Sequence, residues 1–165
     1  MNEENYLTVS HKKLFHFIKR ILEGKGVPSD EAKLIAETLV AAHLRGVDTH
    51  GVIRLPIYMR RLDAGSLRPK AKITVVRETP TIAVLNGHQS FGQVIGYRAM
   101  ALAMEKAEHS SIGVVGVRDS EHFGAAAFFA MMALKKNMIG ISITNTAPMM
   151  APTGGTSKLI GNNPI

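Results

Sequence analysis

A histidine beside glycine, with an arginine one helical turn further on, has the residue types of an acid–base site. The stretch RGVDTHGVIR, residues 45–54, places His50 directly after Thr49, and Arg54 follows four residues later. An imidazole titrates near neutrality, and the Thr49 hydroxyl can hydrogen-bond a ring nitrogen or a substrate group. If a helix begins here, Arg54 lies on the same side of the helix as His50, and its guanidinium can form bidentate hydrogen bonds with a carboxylate.

The same stretch has a purely structural interpretation. Asp48 or Thr49 can satisfy backbone N–H groups at a helix corner, which leaves His50 in solvent. Arg45 and Asp48 in the same stretch can also form an ion pair. The spacing alone leaves both interpretations open.

A second histidine follows an apolar run that is typical of a buried strand. In VVGVRDSEHFGAAAFFAMMA the strand ends near Val117, a polar turn follows, and His122 stands close to Gly124 at the expected start of a helix. A helix N-terminus disfavours the charged imidazole and lowers its pKa, so a neutral His122 can accept or return a proton near pH 7. Alternatively, Ser120 caps the helix and His122 has no chemical task.

A third cluster is the glycine- and asparagine-rich segment TNTAPMMAPTGGTSKLIGNNPI. Backbone N–H groups around Gly154–Gly155 and residues 161–163 can form a nest for an anion, with Thr146 and Lys158 available for phosphate or ribose oxygens. The segment matches neither the GxGxxG fingerprint nor a P-loop. An ordinary loop is the alternative.

The elements that position these clusters change in period near residue 70. Apolar residues at helical spacing, a serine cap at Ser10 or Ser29 and glycine stops predict three helices, over residues 10–25, 29–46 and 51–64. The β-branched runs that follow indicate strands. We therefore predict a helical domain over residues 1–70 and a mixed α/β domain over residues 71–165.

The second region alternates between strands and helices in the order ββαβαβ. Its strands are ITVVRET, TIAVLNG, SIGVVGVR and NMIGISITN, and its helices cover residues 91–109 and 124–136. The adjacent apolar strands favour a mixed, largely buried sheet. Because the last segment is a run of turn residues with apolar side chains left over, we expect this chain to be the N-terminal part of a longer protein.

Composition narrows the classes of function. The net charge of +7 is spread over lysines and arginines in ones and twos, and aromatic residues make up only 5%, which disfavours nucleic acid as a partner. The chain has no cysteine, and its other histidines show no metal-ligand spacing. No apolar run reaches about 18 residues, and the start MNEENYLTVSHKKLF does not resemble a secretory signal. We expect a cytoplasmic protein with no membrane partner.

Taken together, the three clusters resemble one family. RGVDTHGVIRLPIYMRRLDAGSL, DSEHFGAAAFFAMMALKKNMIGISITNTAP and APTGGTSKLIGNNPI are similar, in order and separation, to the malate/L-lactate dehydrogenase family of the second type. That family is unrelated to Rossmann-type dehydrogenases and includes malate, sulfolactate and ureidoglycolate enzymes and cyclic-imine reductases. The resemblance implies a helical first domain, a mixed-sheet, non-Rossmann cofactor domain and a homodimer with its site at a domain or subunit boundary.

The resemblance also implies roles for individual residues. His122 would accept the proton when a hydroxyl is oxidised. Thr49, His50 and Arg54 would bind and polarise the carboxylate and hydroxyl region of the substrate, with Thr49 replacing the usual serine. Further residues would lie by the dinucleotide, namely Thr146, Gly161, Asn162, Asn163 and Pro164, with Asn162 replacing the usual threonine.

The function implied is hydride transfer between a small 2-hydroxy acid and NAD or NADP. Malate is the first substrate to test, and L-lactate and sulfolactate follow. Two alternatives stay open: reduction of a cyclic imine or keto acid by NADPH on the same fold, and an inactive, truncated subunit. The sequence does not choose between NAD and NADP, because no acidic residue is recognisable at a ribose-binding position.

Overall fold

Three helices pack together at the start of the chain, as the sequence predicts. In a computed structural model, which describes residues 8–165, these are α1 (His11–Gly24), α2 (Ser29–Leu44) and α3 (Leu55–Asp63). The polar residues 1–7, which entered the argument against a secretory signal, lie outside the described residues. The helices form because apolar side chains recur at helical spacing and meet in one core. Its largest fully buried members from α1 and α2 are Ile18, Leu22, Ile35 and Leu39.

The start of the third helix differs from the prediction. Two short 3-10 turns, Asp48–His50 and Val52–Arg54, occupy the stretch where a helix was expected from residue 51, and α3 begins only at Leu55. Pro56 stands at the beginning of α3, where its missing N–H costs no helical hydrogen bond. The predicted serine caps are also wrong. Ser10 makes no side-chain cap hydrogen bond, and Ser29 is the first residue of α2, with Pro28 at the cap position.

A mixed three-stranded sheet follows, in the order β1-β2-β3. The strands are β1 (Thr74–Glu78), β2 (Ile82–Ser90) and β3 (Val114–Ser120); β1 is antiparallel to β2, and β2 is parallel to β3. The long helix α4 (Gly92–Ser110) makes the crossover between the parallel strands. The prediction of a mixed α/β arrangement is confirmed. The sheet is not largely buried as predicted, because every residue of β1 is exposed and β3 has no fully buried residue.

The last predicted helix is shorter than expected, and the last predicted strand is wrong. Residues 124–136 form only α5 (Ala126–Ala130) and a 3-10 turn, Ala133–Lys136. The segment NMIGISITN has no regular secondary structure and pairs with no strand among residues 8–165, and its alternate side chains Ile139, Ile141 and Ile143 are exposed. A strand needs a neighbour for its backbone hydrogen bonds, and apolar alternation in the sequence does not supply one.

Helix α4 connects the two parts of the described chain. Phe91 and Val94 at its start pack into the core of the first three helices, while Ile95 and Ala99 pack on Leu85 of β2. The helical layer and the sheet thus meet at the N-terminal end of α4. The division into domains near residue 70 stays a prediction.

No helix among residues 8–165 is both long enough and apolar enough to cross a lipid bilayer.

Candidate active site

The loop that carries His50 is held from behind by His43, near the end of α2. The Nε2 atom of His43 accepts the Val52 N–H at 2.8 Å, so the ring proton lies on Nδ1, which is 2.8 Å from the Asp48 carboxylate. A Cβ at Gly51 would lie 2.5 Å from His43 Nε2, so only glycine allows this approach. Asp48 therefore pairs with His43, and the predicted pair with Arg45 is wrong. Sequence reasoning missed His43, although its spacing of five residues from Asp48 was visible.

The structure brings the first two sequence clusters together. The imidazole rings of His50 and His122 stack with centroids 5.4 Å apart and an angle of 26° between their planes. Thr49 Oγ1 lies 3.0 Å from His50 Nδ1. His122 belongs to the loop between β3 and α5 rather than to the first turn of a helix, because α5 begins only at Ala126. Ser120 ends β3 and does not cap a helix.

Two buried residues that the sequence analysis missed extend this cluster. The hydroxyl of Tyr58, on α3, lies 2.9 Å from His122 Nδ1, and Gln93 Nε2 donates to that hydroxyl at 2.7 Å. Tyr58 is 2% exposed and Gln93 is fully buried. The only sequence signal for Tyr58 was its position four residues after Arg54, on the same helix face. Nothing in the sequence singled out Gln93 from the other residues of α4.

Burial and nearby cations keep both imidazoles neutral at pH 7. Burial, followed by the charges of Arg54, His50 and Arg61, lowers the pKa of His122 to about 4. Burial and Arg54 likewise lower the pKa of His50. Burial raises the pKa of Tyr58 to about 12, so its hydroxyl stays protonated. The lowered pKa of His122 was expected, but its cause is burial and positive charge, not the short helix α5.

Two arginines on the α3 side of the cluster have different tasks. Arg54 donates through Nε to the Thr49 carbonyl at 2.6 Å, and its other N–H groups make no hydrogen bond to the described residues. Arg61 is paired with the carboxylate of Glu121, the residue before His122. Arg61 thus ties the His122 loop to α3, whereas Arg54 keeps donors available for an anion.

Gly92 lets the His122 loop approach the start of α4. A Cβ on Gly92 would overlap the Glu121 carbonyl oxygen and lie 2.6 Å from the carbonyl carbon of His122. Any larger residue would displace the loop that places His122 on Tyr58.

The residues of the third cluster also contact one another. Thr146 donates its N–H to Asn163 Oδ1 at 2.9 Å and its hydroxyl to Asn162 Oδ1 at 3.1 Å. A Cβ on Gly161 would lie 2.5 Å from the Thr146 carbonyl oxygen, so glycine is needed for this contact. The carbonyl of Pro164 accepts the N–H of Thr144 at 3.2 Å. None of these groups hydrogen-bonds to His50 or His122.

The nest predicted around Gly154–Gly155 is not open to an anion in the way expected. The N–H of Gly155 donates to the Pro152 carbonyl at 2.8 Å, so this donor is already used. Lys158 is exposed and makes no ion pair among residues 8–165.

A cavity of about 650 Å³ lies on the other side of the His50 loop, between α1 and α3. Its lining is apolar, with Phe17, Ile21 and Met59 among its members, and includes neither His50 nor His122. It does not form the acid–base site. Residues 8–165 also contain no cluster of three or more histidine, aspartate or glutamate side chains placed to hold a metal ion.

Comparisons with known proteins identify the family of this chain. The family described as malate/L-lactate dehydrogenase matches residues 9–165. Malate dehydrogenase of Pyrococcus abyssi is 45% identical over 163 residues, which are 99% of this chain and 45% of that protein. L-sulfolactate dehydrogenase of Methanocaldococcus jannaschii is 45% identical over 145 residues, 88% of this chain and 42% of that protein.

Solved structures give the same result. The structure of malate dehydrogenase from Pyrococcus horikoshii has a TM-score of 0.94 and 47% identity, and the match covers 98% of this chain and 47% of that one. The present chain thus spans less than half the length of the relatives it matches.

Proposed function

The chain belongs to the malate/L-lactate dehydrogenase family, and we propose that the whole protein transfers a hydride between a 2-hydroxy acid and NAD or NADP. The observation that carries this proposal is the stack of His50 on His122, with Tyr58 behind the second ring and Arg54 beside it. Oxidising a 2-hydroxy acid requires a base for the hydroxyl proton and a cation for the carboxylate. The cluster contains both.

His122 is the proposed proton acceptor. Its Nδ1 is engaged by Tyr58, and its Nε2 has no hydrogen-bond partner among the described residues, so Nε2 is the atom that can take the hydroxyl proton. The ring is neutral at pH 7, as a base must be. A substrate carboxylate next to Arg54 would offset one of the charges that lower the pKa of His122. The base would therefore become stronger when its substrate is bound.

Arg54, His50 and Thr49 are the proposed substrate-binding residues. The free donors of Arg54 suit a carboxylate, and the hydrogen bond to the Thr49 carbonyl holds the guanidinium at the loop. Thr49 also orients the His50 ring through Nδ1, which leaves the other ring nitrogen for the substrate. The clamp by His43 keeps this loop in place.

The cofactor-binding residues proposed are Thr146, Gly161, Asn162, Asn163 and Pro164. Their hydroxyl, amide and backbone groups converge in one partly exposed loop pair, which suits the ribose, phosphate or amide groups of a dinucleotide. When bound, the nicotinamide accepts the hydride from the substrate carbon. The choice between NAD and NADP is left to the experiment.

The test uses the purified whole protein with L-malate and either NAD or NADP. We expect the absorbance of reduced nicotinamide to appear, and L-lactate and sulfolactate are the next acids to try. No reduction with any of the three acids would contradict the proposal. Oxidation of NADPH by a cyclic imine or a keto acid instead would establish the alternative reductase, and no cofactor binding by a folded protein would indicate an inactive subunit.

A homodimer and a cytoplasmic location are also proposed, on the basis of the family resemblance. Light scattering on the whole protein tests the first, and fractionation of the source cells tests the second. A monomer in light scattering would overturn the proposed homodimer.

A further inference from the structure

The hydrogen bonds behind His122 run in a direction that determines where its ring proton lies. Gln93 Nε2 donates to the Tyr58 oxygen, which lies 2.9 Å from His122 Nδ1. Since Gln93 accepts nothing from Tyr58 in this orientation, the single hydroxyl proton of Tyr58 is left to donate to His122 Nδ1. A neutral imidazole whose Nδ1 accepts must hold its proton on Nε2. With the hydrogen bonds in this direction, His122 Nε2 carries a proton and is a donor. It therefore cannot accept the hydroxyl proton of a substrate.

One buried atom stands out in the same chain of bonds. Gln93 Oε1 is shielded from solvent and has no hydrogen-bond partner. A half-turn of the amide about its last torsion exchanges Oε1 and Nε2. Oε1 then accepts Tyr58 O–H, the Tyr58 oxygen accepts from His122 Nδ1, and His122 Nε2 is left with a free lone pair. Each orientation gives the amide one bond to Tyr58, so the number of bonds does not choose between them.

The proposed reaction requires one of these two orientations of the Gln93 amide. A neutral base that takes a proton on Nε2 holds its own proton on Nδ1, and the imidazolium that forms holds protons on both nitrogens. Both states require Nδ1 to donate to Tyr58, and hence Tyr58 to donate to Gln93. Tyr58 can fill this place throughout because its hydroxyl stays protonated in its buried position.

We propose that Gln93 is a positioning residue for the base: with Oε1 turned to Tyr58, it holds the His122 proton on Nδ1 and frees Nε2 to accept the substrate proton. The role of Nε2 as acceptor rests on the proposed function, whereas the location of the ring proton does not. Gln93 acts through Tyr58 and does not touch the substrate. The Glu121–Arg61 pair and Arg54 are the charged groups facing this chain of bonds, and none of them bonds to Gln93.

The test is the nitrogen NMR spectrum of the whole protein labelled with ¹⁵N-histidine, at pH 7.5 and without ligands. We expect His122, identified by its loss in His122→Asn, to carry its proton on Nδ1. In Gln93→Met, which keeps the length of the side chain but has no strong acceptor, and in Tyr58→Phe, the proton should move largely to Nε2. Thr38→Val removes a buried hydroxyl on α2 that donates to the Ile35 carbonyl and has no bond to Gln93, Tyr58 or His122, so it should leave the His122 signals unchanged.

Steady-state kinetics give a second readout. We expect kcat to fall by about tenfold or more in Gln93→Met with little change in KM, a part of the roughly 10²–10⁴-fold that a general base supplies. Circular dichroism checks that each variant is folded. If Gln93→Met does not fold, the position of the His122 proton in Tyr58→Phe becomes the deciding measurement. A proton on Nε2 in the wild type, or a proton that stays on Nδ1 in folded Gln93→Met, would overturn the inference. If the spectra contradict the role of Gln93 but the protein oxidises hydroxy acids, the proposed function still holds. If the spectra are as expected but the protein is inactive, the role of Gln93 holds and the proposed function does not.

Discussion

The histidine cluster and the loop pair formed by residues 144–165 are built in opposite ways. His122 rests on Tyr58 and Gln93, which are buried between α3 and α4, and its loop packs on Gly92. In contrast, no residue of 144–165 is fully buried, and the contacts of Thr146 with two asparagines lie in exposed positions. The first region is part of the folded core, and the second is a surface loop held by polar contacts.

Because of this difference, we expect the histidine cluster to determine catalysis and stability, and the loop pair to determine ligand affinity. Acid–base chemistry needs groups held within hydrogen-bond distance, and buried packing supplies that order. A loop with few buried contacts opens locally at low free energy. Substitutions in the first region should therefore change catalysis and stability, whereas substitutions in the second should change ligand affinity with little effect on stability.

The largest expected effect comes from removing either stacked imidazole. His122→Ala and His50→Ala should each lower kcat of the whole protein by roughly a hundredfold or more, the scale of lost acid–base catalysis. His109→Ala, at the exposed end of α4, is the matched control and should have no effect. Normal turnover in both site variants would remove the histidine cluster from the mechanism.

Loss of the carboxylate-binding cation should have the next largest effect. Arg54→Ala removes a charge-assisted hydrogen bond worth roughly 1.5–3 kcal/mol, so kcat/KM should fall by roughly ten- to a hundredfold. Arg45→Ala removes an equal charge from the same loop, and Arg45 makes no ion pair among residues 8–165. Equal losses in the two variants, measured by initial rates, would indicate long-range attraction rather than a specific contact.

One glycine in each region, Gly92 beside His122 and Gly161 in the loop pair, allows the same substitution to be compared in both. Gly92→Ala forces a Cβ into the Glu121 and His122 backbone, so the free energy of unfolding should fall by roughly 1–3 kcal/mol. Gly161→Ala crowds Thr146 in an exposed loop, and stability should change by less than about 0.5 kcal/mol while cofactor affinity falls.

Urea denaturation and fluorescence titration with NAD or NADP measure these two effects. Gly24→Ala is the control, since a Cβ there meets nothing within 4 Å. If Gly161→Ala proves as destabilising as Gly92→Ala, the loop pair is not the independent surface element described above.

The last expected effect is on the pH dependence of stability. The pKa of His122 is about 4 in the folded protein against an ordinary value of 6.5, so the folded state favours the neutral ring. Its contribution to stability is complete above pH 6.5 and is lost as the pH falls toward 4. His122→Asn should therefore lose less stability than the wild type between pH 7.5 and pH 4.5. Equal losses in urea denaturation would show that the ring is not held neutral by burial.

Much of this arrangement was accessible from residue types and spacing. The helical start, the mixed sheet, His50, Thr49, Arg54 and His122 all follow from periodicity, from residue chemistry or from the family resemblance. Two kinds of feature were not accessible. The strand expected from NMIGISITN depends on a pairing partner, and the partners of Asp48 depend on how the loop turns. Both are properties of neighbours in space rather than of local sequence.

By itself the sequence determined which groups are available: two imidazoles beside glycines, an arginine at helical spacing and a loop rich in amides. Only the tertiary structure decided that His50 and His122 stack, and that Tyr58 and Gln93 stand behind them. Alternation and periodicity report which face of an element is buried. They do not report which buried group meets which, because that depends on how α3, α4 and the His122 loop pack together.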